Sequence, residues 1–145
     1  MTAESHFRAI EKMYLAAPIN RFFLPKIEVK EGEARIKIAV KEDFFHSAGA
    51  VHGSVYFKML DDAAYFAASS CEPEYFLLTS TFTTYLTAPV SSGIIEAVGK
   101  VVHRGRNQWL AEAVAYNSGR EIARGSGIFV RGKALLCGAK GHRLK

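Results

Sequence analysis

Cysteine is scarce in this chain, and the two that occur follow no pattern that carries chemistry. Cys71 and Cys137 are too few for a disulfide framework, and neither belongs to a Cys-x-x-Cys or Cys/His metal spacing. We interpret both as buried or partly buried thiols. The five histidines include no His-Glu-x-x-His or similar helical pair. We therefore expect no metal and no cofactor.

Long apolar runs are also missing. No stretch approaches the roughly 18 apolar residues of a membrane-spanning helix, and residues 1–20 lack the apolar centre of a signal peptide. A chain of 145 residues, 49% of them hydrophobic, fits one globular domain with a buried core. We expect that domain to cover residues 1–130, with an N-terminal helix and lead-in over 1–20, in the cytoplasm and away from membranes.

Acidic residues are absent from the C-terminal end. Five of the 19 basic residues lie in 131–145, which leaves 14 basic and 14 acidic residues in the rest of the chain. A basic end that contains glycine is typically frayed and solubilising. We therefore expect a basic tail over 131–145 and no nucleic-acid partner, although this tail remains a candidate contact for the phosphates of a nucleotide-bearing substrate.

The pattern of apolar residues predicts an α+β fold. Ser5–Ala16 has apolar residues at intervals of three and four, typical of an amphipathic helix that covers a core. Ser54–Ser70 predicts a mostly buried helix. Six stretches predict strands: Lys26–Glu31, Ala34–Val40, Phe76–Leu86, Ile94–Arg104, Gln108–Tyr116 and Glu121–Val130. An antiparallel sheet of these strands must wrap around the central helix to bury it.

The start of the central helix carries the chemistry. The first N–H groups of this helix, at Gly53 and Ser54, have no intrahelical acceptors and form a natural oxyanion site. Asp61 and Asp62 lie further along the same largely apolar helix. A carboxylate there has a raised pKa suited to general-base work. That both aspartates merely cap or cross-link neighbouring elements is an equal alternative, and Asp62 should point about 100° away from Asp61.

These residues resemble the hotdog-fold thioesterases, specifically the PaaI-like group. That family has a His-Gly-Gly turn before its central helix and a catalytic carboxylate nine residues after the histidine. The matching residues here are His52-Gly53-Ser54 and Asp61. The segment Thr79–Pro89 is similar to the family's strand that ends in a proline turn, and Val102–Arg106 is similar to its next hairpin.

The resemblance implies a hotdog fold with a six-stranded antiparallel sheet, and a homodimer or dimer of dimers with active sites between chains. It implies that Asp61 acts as base or nucleophile on an acyl-CoA thioester and that the Gly53 N–H polarises the carbonyl. Thr79, or Ser80 if the alignment slips by one residue, would place the water or the carboxylate.

Two positions depart from the family. Ser54 replaces the second glycine, where its side chain narrows the substrate pocket or caps the helix. His46 replaces a frequent asparagine, where it could orient a water and make activity more sensitive to pH. His52 is interpreted either as a site residue or as a loop-stabilising one. Arg104 and Arg106 are candidates for the coenzyme A phosphates, and equally for a solvated face.

Three functions compete. The first is hydrolysis of a small or medium acyl-CoA, with Asp61 as its discriminating residue. The second is a non-catalytic hotdog module that binds acyl-CoA or a partner protein, which Ser54 and His46 favour. The third, a nucleic-acid-binding domain, is weakest because the chain outside the tail is neutral and has no recognition motif.

Overall fold

The computed structural model describes residues 2–142. Helix α1 spans Ala3–Ala16 and begins with a capping box, in which the side chains of Thr2 and Ser5 each accept the other's backbone N–H. A single-turn helix α2, Asn20–Phe23, follows, which the sequence pattern did not predict.

The predicted sheet and central helix are confirmed. The strands are β1 Lys26–Lys30, β2 Glu33–Ala39, β3 Tyr75–Leu86, β4 Ile94–Arg104, β5 Gln108–Asn117 and β6 Arg120–Leu135, and helix α3 spans Gly53–Ser69 between β2 and β3. Every neighbouring pair is antiparallel, in the order β1-β2-β4-β5-β6-β3. Short 3-10 helices occupy Glu42–Phe44 and Leu136–Gly138.

The sheet curls tightly around α3 because small residues line the contact. A Cβ added to Gly99 on β4 would lie 2.2 Å from the carbonyl oxygen of Ala63 on α3, so only glycine allows this approach. Ala63, Ala64 and Ala67 have no exposed surface. This packing fixes α3, and the side chains that it carries, against the concave face of the sheet.

The two edges of the sheet differ. At the β1 edge, α1 satisfies the backbone of Val29: the Arg8 guanidinium donates to its carbonyl at 2.8 Å, and its N–H donates to the Glu11 carboxylate at 2.7 Å. At the other edge, β3 has only β6 as a hydrogen-bonded neighbour within residues 2–142. One long edge strand therefore keeps free backbone donors and acceptors.

Strand β6 continues to Leu135 and so extends past the predicted start of the tail at Arg131. Arg131 forms an ion pair with Glu72 at 2.5 Å, and the carboxylate side chain of Glu72 is only 4% exposed. Leu136, just beyond the strand, is buried, and its N–H donates to the Glu74 carbonyl. The first part of the basic segment is thus integrated into the sheet and the core.

Candidate active site

Asp61 lies in a cleft of about 320 Å³ between α1, α3 and β3. The walls of this Asp61 cleft are mainly apolar and aromatic, with Met13, Ile19, Tyr65, Phe66, Phe76 and Leu77 among its lining residues. Burial raises the pKa of Asp61 to about 6; the hydrogen bond from Thr79 opposes this shift, the nearby Asp62 adds to it and Lys58 opposes it. A carboxylate with this pKa is ionised at neutral pH and is still a useful proton acceptor.

Thr79 is the β3 residue that contacts Asp61. Its hydroxyl donates to Asp61 Oδ1 at 2.9 Å. The pairing of β3 with β6 shifts between Thr79 and Thr81, which leaves Ser80 as the extra residue of a β-bulge. Of the two predicted alternatives, Thr79 and Ser80, the fold therefore brings Thr79 to the carboxylate.

The prediction that Asp62 faces away from the cleft is wrong, because Asp62 lines the same cleft as Asp61. Its Oδ2 accepts a hydrogen bond from the Tyr14 hydroxyl at 2.7 Å and forms an ion pair with Lys58 Nζ at 2.5 Å. Helix α1 supplies the tyrosine and forms one wall of the cleft, and both neighbouring carboxylates line that cleft. Asp62 is held by these two partners, whereas the Asp61 carboxylate has Thr79 as its one side-chain partner in the described part of the chain.

The N-terminus of α3 is capped by His52. The ring Nδ1 accepts the Ser54 N–H at 3.0 Å and lies 2.8 Å from the Ser54 hydroxyl. Because a backbone N–H can only donate, Nδ1 is the acceptor and the neutral ring carries its proton on Nε2. The Ser54 N–H is therefore used within the helix cap, and no partner for the Gly53 N–H is found within residues 2–142.

Gly53 opens onto a second cleft of about 340 Å³, which it shares with His46, Tyr56, Leu86 and Pro89. His46 Nδ1 accepts the Ala48 N–H at 3.0 Å, so the neutral ring has its donor on Nε2. This Gly53 cleft therefore presents N–H groups, in contrast to the carboxylate of the Asp61 cleft.

The two clefts do not meet within one chain. Gly53 and Asp61 are eight residues apart on α3, which corresponds to about 12 Å along the helix axis, and none of the residues 2–142 lines both clefts. The structure brings Asp61 to Thr79, and Gly53 to His46. Within a single chain it does not bring the predicted base to the predicted oxyanion donor.

Arg104 and Arg106 line neither cleft. Arg104 ends β4, where its guanidinium lies 3.6 Å from the Glu31 carboxylate. Arg106 is exposed in the turn between β4 and β5. Their assignment to coenzyme A phosphates stays a prediction.

Sequence reasoning missed Lys58 and the contact that Tyr14 makes. Lys58 is the one basic residue of α3, and it is four residues before Asp62, the spacing of a helical ion pair. That spacing was visible in the sequence. The hydroxyl of Tyr14 could not be placed there, because Tyr14 and Asp62 are 48 residues apart along the chain and meet only in the folded protein.

Within residues 2–142, no cluster of three or more His, Cys, Asp or Glu side chains is arranged to hold a metal ion. No helix in the same range combines the length and the apolar character needed to cross a membrane.

Comparison with solved structures shows the same fold in several bacterial proteins. The PaaI protein from the phenylacetic acid degradation operon of Escherichia coli aligns with a TM-score of 0.81 at 18% identity, covering 93% of this chain and 99% of that one. A phenylacetic acid degradation protein PaaI from Thermus thermophilus, solved as a mutant, aligns with a TM-score of 0.73 at 20% identity, over 79% and 99% of the two chains. A putative esterase from Mycobacterium tuberculosis gives 0.74 at 24% identity, over 81% and 98%.

Comparison with curated proteins finds no match. The family model of the thioesterase superfamily matches residues 48–123, a segment that holds the His52 cap, all of α3 and the strands β3 to β5. This match covers more than half of the chain, and the hotdog fold agrees with it. The chain therefore belongs to the thioesterase superfamily.

Proposed function

We propose that this protein hydrolyses the thioester of a small or medium acyl-CoA, with Asp61 as general base or nucleophile. The observation that carries the proposal is the half-buried Asp61 carboxylate, hydrogen-bonded to Thr79 in an apolar cleft. A carboxylate in such surroundings costs folding free energy. Its reactivity toward a thioester gives a reason for that cost.

In the general-base route, Asp61 takes a proton from water as the water oxygen attacks the thioester carbonyl carbon. The Gly53 N–H stabilises the developing oxyanion, helped by the positive end of the α3 dipole. The C–S bond then breaks, and the thiolate of coenzyme A leaves and takes up a proton. In the nucleophilic route, the carboxylate itself attacks the carbonyl carbon, the C–S bond breaks to release the thiolate of coenzyme A, and water hydrolyses the resulting anhydride. In both routes, the Thr79 hydroxyl orients the Asp61 carboxylate.

We further propose that each site combines Gly53 of one chain with Asp61 of a second copy. The open edge at β3 supports this arrangement, since a two-fold axis at this edge would pair β3 with its copy and set the two α3 helices side by side in opposite directions. The N-terminus of each helix would then face the middle of its partner. Phe57 on α3 and Leu78 and Leu86 on β3 are apolar and exposed beside this edge, as expected for a surface that a second chain covers.

Mixing two inactive variants should restore activity if the site is shared. Asp61→Asn removes the carboxylate. Gly53→Pro removes the N–H at the first helical position, where proline is tolerated, and His52 before it already has the extended backbone that proline requires. A mixed dimer retains one site with both groups intact, so randomly reassembled dimers should recover about one quarter of the wild-type rate. Release of free thiol from an acyl-CoA measures this rate.

Gly53→Ala is the matched control, because alanine keeps the N–H. Its Cβ would lie 3.1 Å from the flexible end of Leu86, and we expect most of the activity to remain. A mixture as inactive as its two components would contradict the shared site, and full activity of Gly53→Pro would exclude its N–H as the oxyanion donor.

The pH dependence should follow the carboxylate of Asp61. Because burial raises the pKa of Asp61 to about 6, and because only the ionised form accepts a proton or attacks, kcat/KM should rise about tenfold per pH unit below pH 6 and level off above it. A pH–rate profile on one acyl-CoA measures this. A profile that stays flat down to pH 4.5 would contradict the role of Asp61. Binding of acyl-CoA without hydrolysis at any pH would instead favour the non-catalytic module.

A further inference from the structure

Lys58 is a mostly enclosed cation beside the Asp61 cleft. Its side chain is 13% exposed and that of its ion-pair partner Asp62 is 19% exposed. The ammonium lies 5.1 Å from the ring centre of Tyr14 and 4.9 Å from that of Phe23. Burying an ammonium is unfavourable unless it is paired. Its presence here therefore depends on Asp62 and on the aromatic rings that α1 and α2 supply.

The cleft holds two adjacent carboxylates, and their charges interact. In this poorly solvated cleft, the negative charge of Asp62 favours protonation of Asp61. Lys58 adds one positive charge, and the Tyr14 hydroxyl adds a hydrogen bond, both to Oδ2 of Asp62. Lys58 thereby compensates the negative charge of Asp62, and the two contacts hold its side chain in place. Asp61 is then the carboxylate of the cleft to which no cation of residues 2–142 is bonded.

We propose that Lys58 is a positioning residue which, together with Tyr14, neutralises Asp62 and so keeps Asp61 ionised and available for reaction. This inference rests on the proposed function of Asp61. The titratable groups that share the cleft with Asp61 are Lys58, Asp62 and Tyr65 from α3 and Tyr14 from α1; α2 contributes the uncharged Asn20 and β3 the uncharged Thr79. Among the described residues 2–142 that line the cleft, Lys58 is the one cation, so none of them replaces its charge when it is removed.

The contacts among Tyr14, Asp62 and Lys58 also connect α1 to the proposed reaction of Asp61. The family model begins at residue 48, so Tyr14 lies outside the segment that it matches, while Lys58 and Asp62 lie within it.

A purely structural ion pair would affect stability when either partner is removed. It would not move the acidic limb of the pH–rate profile in opposite directions for the two partners, and this difference separates the two interpretations.

A double-mutant cycle tests the inference. Lys58→Met should raise the midpoint of the acidic limb by about one pH unit, because Asp61 then faces an uncompensated carboxylate. Asp62→Asn should lower the midpoint, because Lys58 then faces Asp61 alone. The double variant should return close to the wild type, since it removes both charges. Lys37→Met, at an exposed lysine on β2, makes the same change in net charge and should leave the midpoint in place.

Direct titration of Asp61 separates failure of this inference from failure of the proposed function. The chain has only three aspartates, Asp43, Asp61 and Asp62, so carboxyl ¹³C labelling of aspartate gives three signals that single substitutions assign. The midpoint of the Asp61 signal should move as the kinetic midpoint does. If Asp61→Asn retains activity, the proposed function fails, yet these titrations still decide the role of Lys58.

Should Lys58→Met not fold, the comparison of Asp62→Asn with the double variant still isolates Lys58, because neither of these leaves an unpaired buried carboxylate at position 62. The Asp61 midpoint should then be higher in the double variant than in Asp62→Asn. Equal midpoints in these two variants, or a shift in Lys58→Met no larger than in Lys37→Met, would overturn the inference.

Discussion

Replacing Asp61 with asparagine should lower kcat for acyl-CoA hydrolysis by roughly 10² to 10⁴, the usual contribution of a positioned acid or base. Asparagine keeps the size of the side chain, and its Oδ1 can still accept the Thr79 hydrogen bond, but it can neither take up the proton nor attack the thioester. KM should change little, because the acyl and nucleotide contacts remain. Steady-state kinetics with free-thiol detection measures both constants.

Asp43→Asn is the control for this substitution, since Asp43 is exposed in a 3-10 helix and lines neither cleft. It should retain wild-type turnover. Near-full turnover in Asp61→Asn, on a substrate that the wild type clearly hydrolyses, would refute the assignment of the reactive group.

The same Asp61→Asn variant should be more stable than the wild type at neutral pH, which separates lost chemistry from lost structure. Burial raises the pKa of Asp61 from 3.8 to about 6, so the folded state holds the proton more tightly than the unfolded chain does. The destabilisation is absent below pH 3.8, grows between the two values and is complete above pH 6. Because the carboxylate is partly solvated, we expect a gain on the order of 1 kcal/mol at pH 8, shrinking toward zero near pH 4. Urea unfolding of both proteins at pH 8 and at pH 4 measures this difference in the free energy of unfolding.

Ending the chain at Val130 should prevent stable folding. The truncation removes the last five residues of β6, and with them the partners of Leu77 and Tyr75 on β3. It also removes the buried Leu136 and leaves the carboxylate of Glu72 without its cation, a loss worth about 3–5 kcal/mol by itself. Domains of this size are stable by only about 5–15 kcal/mol, so we expect aggregated or unfolded protein. Soluble yield and circular dichroism measure the outcome.

Lys133→Ala is the matched control, because Lys133 is exposed on the same part of β6. It removes one positive charge of the basic segment and should leave folding unchanged. Folded, soluble protein from the chain ending at Val130 would contradict this prediction and would favour a frayed basic tail over residues 131–145.

Much of the fold could be predicted because its elements have strong local signals. The strand Ile94–Arg104 has the predicted bounds, and α3 begins and ends one residue before the predicted helix. The alternating spacing of apolar residues in strands and their helical spacing in helices can be observed in the sequence without the folded structure. The end of β6 was missed because the basic and glycine residues after Val130 are typical of a tail, while Glu72 and β3, which hold that segment in place, are distant in sequence.

The candidate site, like the fold, could be predicted from the sequence only in part. The spacing of His52, Gly53 and Asp61 is contained in the sequence, and together with Thr79–Pro89 and Val102–Arg106 it carried the resemblance to the hotdog-fold thioesterases. Helical periodicity also suggested that Asp62 points elsewhere. Periodicity, however, gives only the direction of a side chain around its own helix. It does not show that α1 packs across α3 and brings Tyr14 to Asp62.

The sequence by itself determined the antiparallel sheet and the buried helix, and its resemblance to the thioesterases singled out the residue that we propose as base, because each depends on the order and spacing of residues within one segment. Tertiary structure alone decided which partners those residues have. Thr79 contacts Asp61 because β3 bulges beside α3, and Tyr14 contacts Asp62 because α1 crosses the same cleft. These contacts join segments far apart in the chain, and only the packed core sets the distances between them.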